Sequence, residues 1–311
     1  MQAFSTFFAL IFAFMRIAAN TSTSLILLLS LLAACNNPNK EPPATDSTDL
    51  VPATINYTVV KTYPHDTTAY TEGFLFHDGE IFESTGTNAS GMPGTSSIFG
   101  TVDLATGKIT PNARLDPAKY FGEGLVNLQN KVYQLTWTTK TGFIYDAKTY
   151  KLLGEFTFPG EGWGMTTDGK YLIMSHGSSN IDYFDPDSTT LATVNILYDD
   201  STKATKTLPA LHLVKELGVT DNNGPVSNIN ELELIKGYLY ANQWMTNYIL
   251  KIDPQNGKVV GRLVLDSLKD EARKKYGEAE SLNGIAYDST TGKVYITGKL
   301  WPNIYEIKFP L

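Results

Sequence analysis

The chain has 311 residues, a formal net charge of −7 and 42 % hydrophobic residues, enough for one large or two ordinary domains. No cluster of Lys and Arg runs along it, which speaks against a nucleic-acid groove, since phosphates need a basic stripe to neutralise them. One cysteine, Cys35, leaves no internal disulfide to staple the fold, so burial of apolar surface must hold it.

The first 35 residues read as a targeting segment. Arg16 is their only charge, and 24–34 is an almost unbroken apolar run ending in Leu32-Ala33-Ala34-Cys35. An apolar core of that length followed by small residues is a secretion signal, too short to span a bilayer as a mature helix. Cys35 after Leu-Ala-Ala resembles the lipobox of bacterial lipoproteins, in which that thiol receives the lipid. The expectation is an exported lipoprotein anchored by Cys35 on the periplasmic side or outer membrane of a bacterial envelope. Residues 36–53 are Asn, Pro, Asp, Ser and Thr with few apolar side chains, and read as a flexible tether. The folded domain is expected over 54–311.

From Ile55 onward the sequence alternates as strands separated by turns, beginning with a half-buried strand at 55–63. A short phrase then recurs five times: a polar or acidic residue beside a glycine, an apolar strand, a turn and a second strand. Its openings are Glu72-Gly73, Glu123-Gly124, Glu161-Gly162-Trp163, Asn230-Glu231 and Asn283-Gly284. Its second strands end at Thr85, Trp137, Ser175, Trp244 and Lys299. A second hairpin follows most copies, with Asp103–Gly107, Asp146–Thr149, Asp185-Pro186-Asp187 and Asp253–Gly257 as turns, because Asp bonds its own backbone and Gly takes positive φ. Four strands per unit at this period imply an all-β, five-bladed β-propeller of antiparallel blades. The fifth unit ends after three strands, so the strand at 55–63 is expected to supply its fourth and close the ring. Two stretches break the repeat: 198–219 reads as an insertion, and 265–280 as a short surface helix.

No metal-ligand cluster, phosphate loop or nucleophile elbow is present, and the four histidines are His65, His77, His176 and His212. What remains is the set of phrase openings, expected to converge near the axis, and the tips. A lone Trp is most often core packing. A lone buried Glu often caps backbone amides, and His176 alone reads as a surface hydrogen-bonder. Four tryptophans in register beside carboxylates read better as a pocket wall around an acid/base whose pKa is raised by desolvation.

These phrases resemble the plant- and bacterial-type glutaminyl cyclases, or glutamine cyclotransferases. The blocks that carry the resemblance are Tyr120-Phe121-Gly122-Glu123-Gly124-Leu125, Glu161-Gly162-Trp163-Gly164-Met165-Thr166, Asn230-Glu231-Leu232-Glu233, Ala241-Asn242-Gln243-Trp244, Leu282-Asn283-Gly284-Ile285 and Thr297-Gly298-Lys299-Leu300-Trp301-Pro302. Together they cover the whole domain. The resemblance implies a five-bladed propeller that converts the N-terminal glutamine of peptides and proteins to pyroglutamate with loss of ammonia. It implies Glu123 as the proton-transfer residue, with Asn230 and Lys299 holding the carbonyl and amide. It also implies Trp137, Trp163 and Trp244 as pocket walls, with Glu72 and Glu161 beside the substrate. No cofactor is required for such chemistry, although a structural calcium or other ion at the axis is compatible with it, and a monomer is expected. Three places depart from the family pattern: Glu72 where Gln is usual, His176 where Asp is usual, and no Arg after Ser97-Ile98. Two other readings compete, a non-catalytic propeller lipoprotein that binds a peptide or glycan, and a calcium-dependent lactonase-type propeller.

Overall fold

The computed structural model describes residues 51–86, 97–198 and 203–311, within a compact unit that runs Thr48–Leu311. Cys35 and the targeting segment lie outside the described residues. The described chain is all-β apart from one helix, Asp266–Lys275.

Grouped by antiparallel pairing, its described strands fall into five four-stranded units, of which the second and third are joined into one eight-stranded sheet. The first is Thr71–His77, Glu80–Thr85, Ile98–Val102 and Ile109–Arg114. The second is Gly122–Leu128, Lys131–Thr136, Thr141–Asp146 and Leu152–Thr157. The third begins with Met165–Thr167 and Leu172–Ser175, and the fourth spans Ile229–Ile235, Tyr238–Gln243, Tyr248–Ile252 and Val259–Val264. The fifth contains Leu282–Asp288, Lys293–Gly298 and Asn303–Lys308, and its outer strand is the N-terminal Thr58–Pro64, antiparallel to Asn303–Lys308. The strand expected at 55–63 therefore pairs where the sequence placed it, one element removed from Ala53–Thr54, which adds in parallel to the edge of the fourth unit.

The first strand of each unit packs against the first strand of the next, and the fifth returns to the first. Five apolar clusters match those five junctions. Phe74, Ile81 and Ile98 meet Ala286, Tyr295 and Ile304 between the first and fifth units. Leu125 and Val132 meet Leu75 and Phe99 between the first and second. A single unit thus has no core of its own, and the apolar face of each sheet is buried by its neighbour. The glycines of the phrase serve this approach. A Cβ on Gly124 would lie 2.6 Å from the Trp163 carbonyl oxygen, and one on Gly164 2.2 Å from that of Asn230.

The Asp turns form as their sequences dictate. Asp103 accepts from the Ala105 amide and Asp253 from the Gln255 amide, while Gly107 and Gly257 take φ of 73° and 74°. The third unit differs. Asp185-Pro186-Asp187 is not a turn but part of an 18-residue strand, Asn180–Leu197, whose register shifts between Asp185 and Thr189. A bulge accommodates Pro186, which has no N–H for the ladder. The stretch read as an insertion is the continuation of this hairpin into Lys203–Gly218, and Ala210 of that strand pairs with Thr157 of the second unit. The helix at 266–275 does form, with Leu268 and Ala272 buried.

Candidate active site

The phrase openings sit in irregular register. Pairing of first to second strand shifts between Thr71 and Gly73, between Gly122 and Leu125, between Ile229 and Leu232, and between Leu282 and Ile285. Glu72, Glu123, Asn230 and Asn283 lie inside these four irregularities. An extra residue bends the strand and re-aims its side chain, so the phrase marks a repeated bulge at the inner edge of the sheets.

Glu72, Glu123, Lys299 and Asn283 come together. The Lys299 ammonium donates to Glu72 Oε1 at 2.6 Å, and Asn283 Nδ2 donates to Glu72 Oε2 at 3.3 Å. The strands that carry Glu72 and Glu123 touch, a Cβ on Gly73 lying 2.7 Å from the Leu125 nitrogen, so the two buried carboxyl groups influence each other. Burial pushes the Glu123 carboxyl well above its usual range, and the neighbouring Glu72 charge adds to this. Burial also raises Glu72, against the opposing pull of Lys299. Of the two, Glu123 is the one whose surroundings favour the protonated form more, because Lys299 and Asn283 both bind Glu72.

Behind Glu72, Thr71 Oγ1 donates to Glu83 Oε1 at 2.7 Å, and His65 Nε2 lies 2.9 Å from Glu83 Oε2. Beside it, Tyr70 places its ring 4.7 Å from the Lys299 ammonium and donates its hydroxyl to Glu280 Oε2 at 3.0 Å.

The aromatic wall is continuous. Tyr70 meets Phe121 edge-on at 6.2 Å, and Phe121 meets Trp137 at 5.9 Å. Glu161 Oε2 accepts from both the Trp137 and the Trp163 indole N–H, at 2.8 and 2.9 Å. Trp163 then meets Trp244 edge-on at 5.5 Å. Trp137 and Trp244 remain 39 % and 37 % exposed, so each keeps a face open to a ligand. Trp301 differs from the other three, being fully buried with its indole N–H on the Glu280 carbonyl. It is core packing. Glu161, expected beside the substrate, holds two indoles with its carboxylate, and its charge also acts on Glu123.

Asn230 adjoins the cluster through the third unit. Its carbonyl accepts from Ser175 Oγ at 2.7 Å and lies against Gly164, while the Trp163 carbonyl accepts from the Gly124 amide at 2.7 Å. The Asn230 Oδ1 is buried with no hydrogen-bond partner. Glu231 plays the amide-capping part that the sequence leaves open for any single Glu, accepting from the Phe74 and Ile285 amides at 3.3 and 2.8 Å. Glu233, partly buried and accepting from Thr166, is raised to about 8 by desolvation. His176 Nε2 lies 3.6 Å from Asp182 Oδ2, and the Asp182 carboxylate beside it raises its pKa over the opposing effect of burial. Among the described residues no group of three or more His, Cys, Asp or Glu gathers as a metal site.

Sequence reasoning did not assign Tyr70, Phe121 or Glu280 to the site. A signal existed for the two aromatics, since each stands two residues before the Glu of its phrase, in Tyr70-Thr71-Glu72 and Phe121-Gly122-Glu123.

A family model described as Glutamine cyclotransferase matches residues 26–216 and 199–309. A glutaminyl-peptide cyclotransferase of Arabidopsis thaliana is 36 % identical over 253 residues, covering 80 % of this chain and 70 % of that protein. The crystal structure of Myxococcus xanthus glutaminyl cyclase superposes with a TM-score of 0.69 at 30 % identity, covering 83 % of this chain and 98 % of that one.

Proposed function

The chain belongs to the glutamine cyclotransferase family, and from that premise we propose that it closes the N-terminal glutamine of peptides and proteins into pyroglutamate at the pocket around Glu123. The observation that carries the site is the buried Glu123–Glu72–Lys299 cluster at the edge of the indole wall. In the reaction the α-nitrogen bonds to the side-chain carbonyl carbon, the bond from that carbon to the amide nitrogen breaks, and ammonia leaves. The α-nitrogen must lose protons and the departing nitrogen must gain them.

Glu123 suits both transfers. Its proton goes to the departing nitrogen and is replaced by one from the α-nitrogen, so the carboxyl is regenerated within the turnover. Asn230 supplies an amide N–H to the developing oxyanion, and its unpartnered Oδ1 accepts from the substrate amide. Lys299 adds positive charge at the same centre. Trp137, Trp163 and Trp244 fold the glutamine side chain towards its own amine and exclude water, with Glu161 holding two of the indoles. A ring closure gains most of its rate from such positioning. These groups cover every proton and charge that the reaction moves, so the mechanism is proposed as metal-independent.

The five units in closed order are proposed to be the blades of a five-bladed propeller, with the bulged openings at its central channel. Cys35 is proposed as a lipid-bearing residue that anchors the exported domain, acting as a monomer, to a bacterial envelope membrane. Ammonia release from a Gln-initiated peptide tests the function. Turnover that survives exhaustive chelation supports the metal-independent route, and absence of any ammonia would overturn the assignment.

A further inference from the structure

Two carboxylates offer each other only acceptors, so two carboxyl groups in hydrogen-bond contact require a proton between them. Glu123 and Glu72 are buried neighbours, 6 % and 1 % exposed, on strands that touch where a Cβ on Gly73 would lie 2.7 Å from the Leu125 nitrogen, and such neighbours favour one proton between them. The surroundings of the two are unequal. Glu72 receives the Lys299 ammonium on Oε1 and the Asn283 amide on Oε2. Glu123 has the Glu72 and Glu161 charges beside it, with Lys299 as a smaller opposing influence. The strand that carries Glu72 is pinned by the Thr71–Glu83–His65 chain of hydrogen bonds, which keeps its carboxylate in place. Glu280, on the Tyr70 hydroxyl, is the remaining charge that Glu72 faces.

We propose that Glu72 is a positioning residue for the reaction: it shares a single proton with Glu123, keeps that proton on Glu123, and carries the negative charge of the pair against Lys299. The proposal rests on the assignment of Glu123 as proton carrier. In each turnover Glu123 gives its proton to the departing nitrogen and receives one from the α-nitrogen. The pair therefore holds one proton and one negative charge before and after, and Lys299 stays an ammonium throughout. Without the Glu72 charge, Lys299 becomes the strongest charge acting on Glu123 and favours loss of its proton.

The test uses the full chain as wild type, Glu72→Gln, Glu72→Asp and Glu123→Gln. Two readouts are needed, kcat against pH and the infrared carbonyl stretch of protonated carboxyl groups in the ligand-free protein. The alkaline limb of kcat, where the pair loses its proton, moves down by about one pH unit or more in Glu72→Gln, and returns towards wild type in Glu72→Asp. The infrared band lost in Glu123→Gln titrates at correspondingly lower pH in Glu72→Gln. A Glu72→Gln profile lowered uniformly with an unmoved limb would mean a merely structural Glu72 and overturn the proposal. So would a wild-type protein at neutral pH with no protonated-carboxyl band that Glu123→Gln removes, a result that does not depend on the Glu72 variants folding. A shifted band together with full turnover in Glu123→Gln would leave the shared proton standing and sink the catalytic assignment instead, so the two failures are distinguishable.

Discussion

At the scale of single residues, the site separates carboxylates that look alike in the sequence by what each one touches. Glu123 is a carboxyl whose protonated form is favoured by burial and by the Glu72 charge, Glu231 caps two backbone amides, and Glu161 binds two indoles with one oxygen. Glu161→Ala removes the acceptor shared by Trp137 and Trp163. Hydrogen bonds to a charged group contribute about 1.5–3 kcal/mol each, less where water competes. The expected result is a rise in KM of roughly tenfold, equivalent to about 1.4 kcal/mol, with a smaller fall in kcat. Steady-state kinetics check it, and a KM unchanged from wild type would show that the indoles hold their places without Glu161.

At the scale of elements, the bulged first strands bring polar groups into a space that apolar burial then seals, and the cost appears in the pH dependence of stability. Glu233 keeps its proton to about pH 8 in the fold, against an ordinary carboxylate value of 4.5, because burial opposes its charge. The sign follows from proton binding. Between those values the folded state holds a proton that the unfolded state has lost, so stability is complete below about 4.5 and declines as pH rises to about 8. Glu231, raised by the same burial, acts in the same direction. Glu233→Gln is therefore expected to reduce the fall in urea midpoint between these pH values, by an amount on the order of a few kcal/mol in unfolding free energy. An unaltered pH slope in the variant would contradict the burial argument.

Much of this scale was legible in the sequence. Strand alternation, Asp-Gly turns and the five-fold phrase gave the units, and the three-stranded fifth unit predicted the pairing of the N-terminal strand. Pro186 misled, because a proline between two aspartates reads as a turn unless the ladder around it can bulge. The side-chain partners were not legible. The sequence placed Glu72, Glu123 and Glu161 at equivalent openings, but the third opening precedes its strand, at Met165–Thr167, while the other two lie in strand bulges. That difference in backbone path turns Glu161 to the indoles.

At the scale of the whole molecule, the first strands follow one another in a closed order, and the N-terminal strand supplies the outer edge of the last unit. That pairing covers a sheet edge which would otherwise be open and ties the N-terminal strand to the C-terminal one. The proposed lipid anchor adds one expectation for the intact chain. Cys35→Ser should move the protein from the membrane to the soluble fraction and abolish incorporation of labelled fatty acid, with turnover retained. Equal membrane association of the variant and the wild type would count against Cys35 as the anchor. The catalytic claim has the most direct test, which is turnover of a Gln-initiated peptide by wild type and Glu123→Gln at matched folded concentration. Loss of general acid/base catalysis predicts a fall in kcat of roughly 10²–10⁴-fold with KM changed only a few-fold, whereas a variant that releases ammonia at the wild-type rate would contradict the assignment of Glu123.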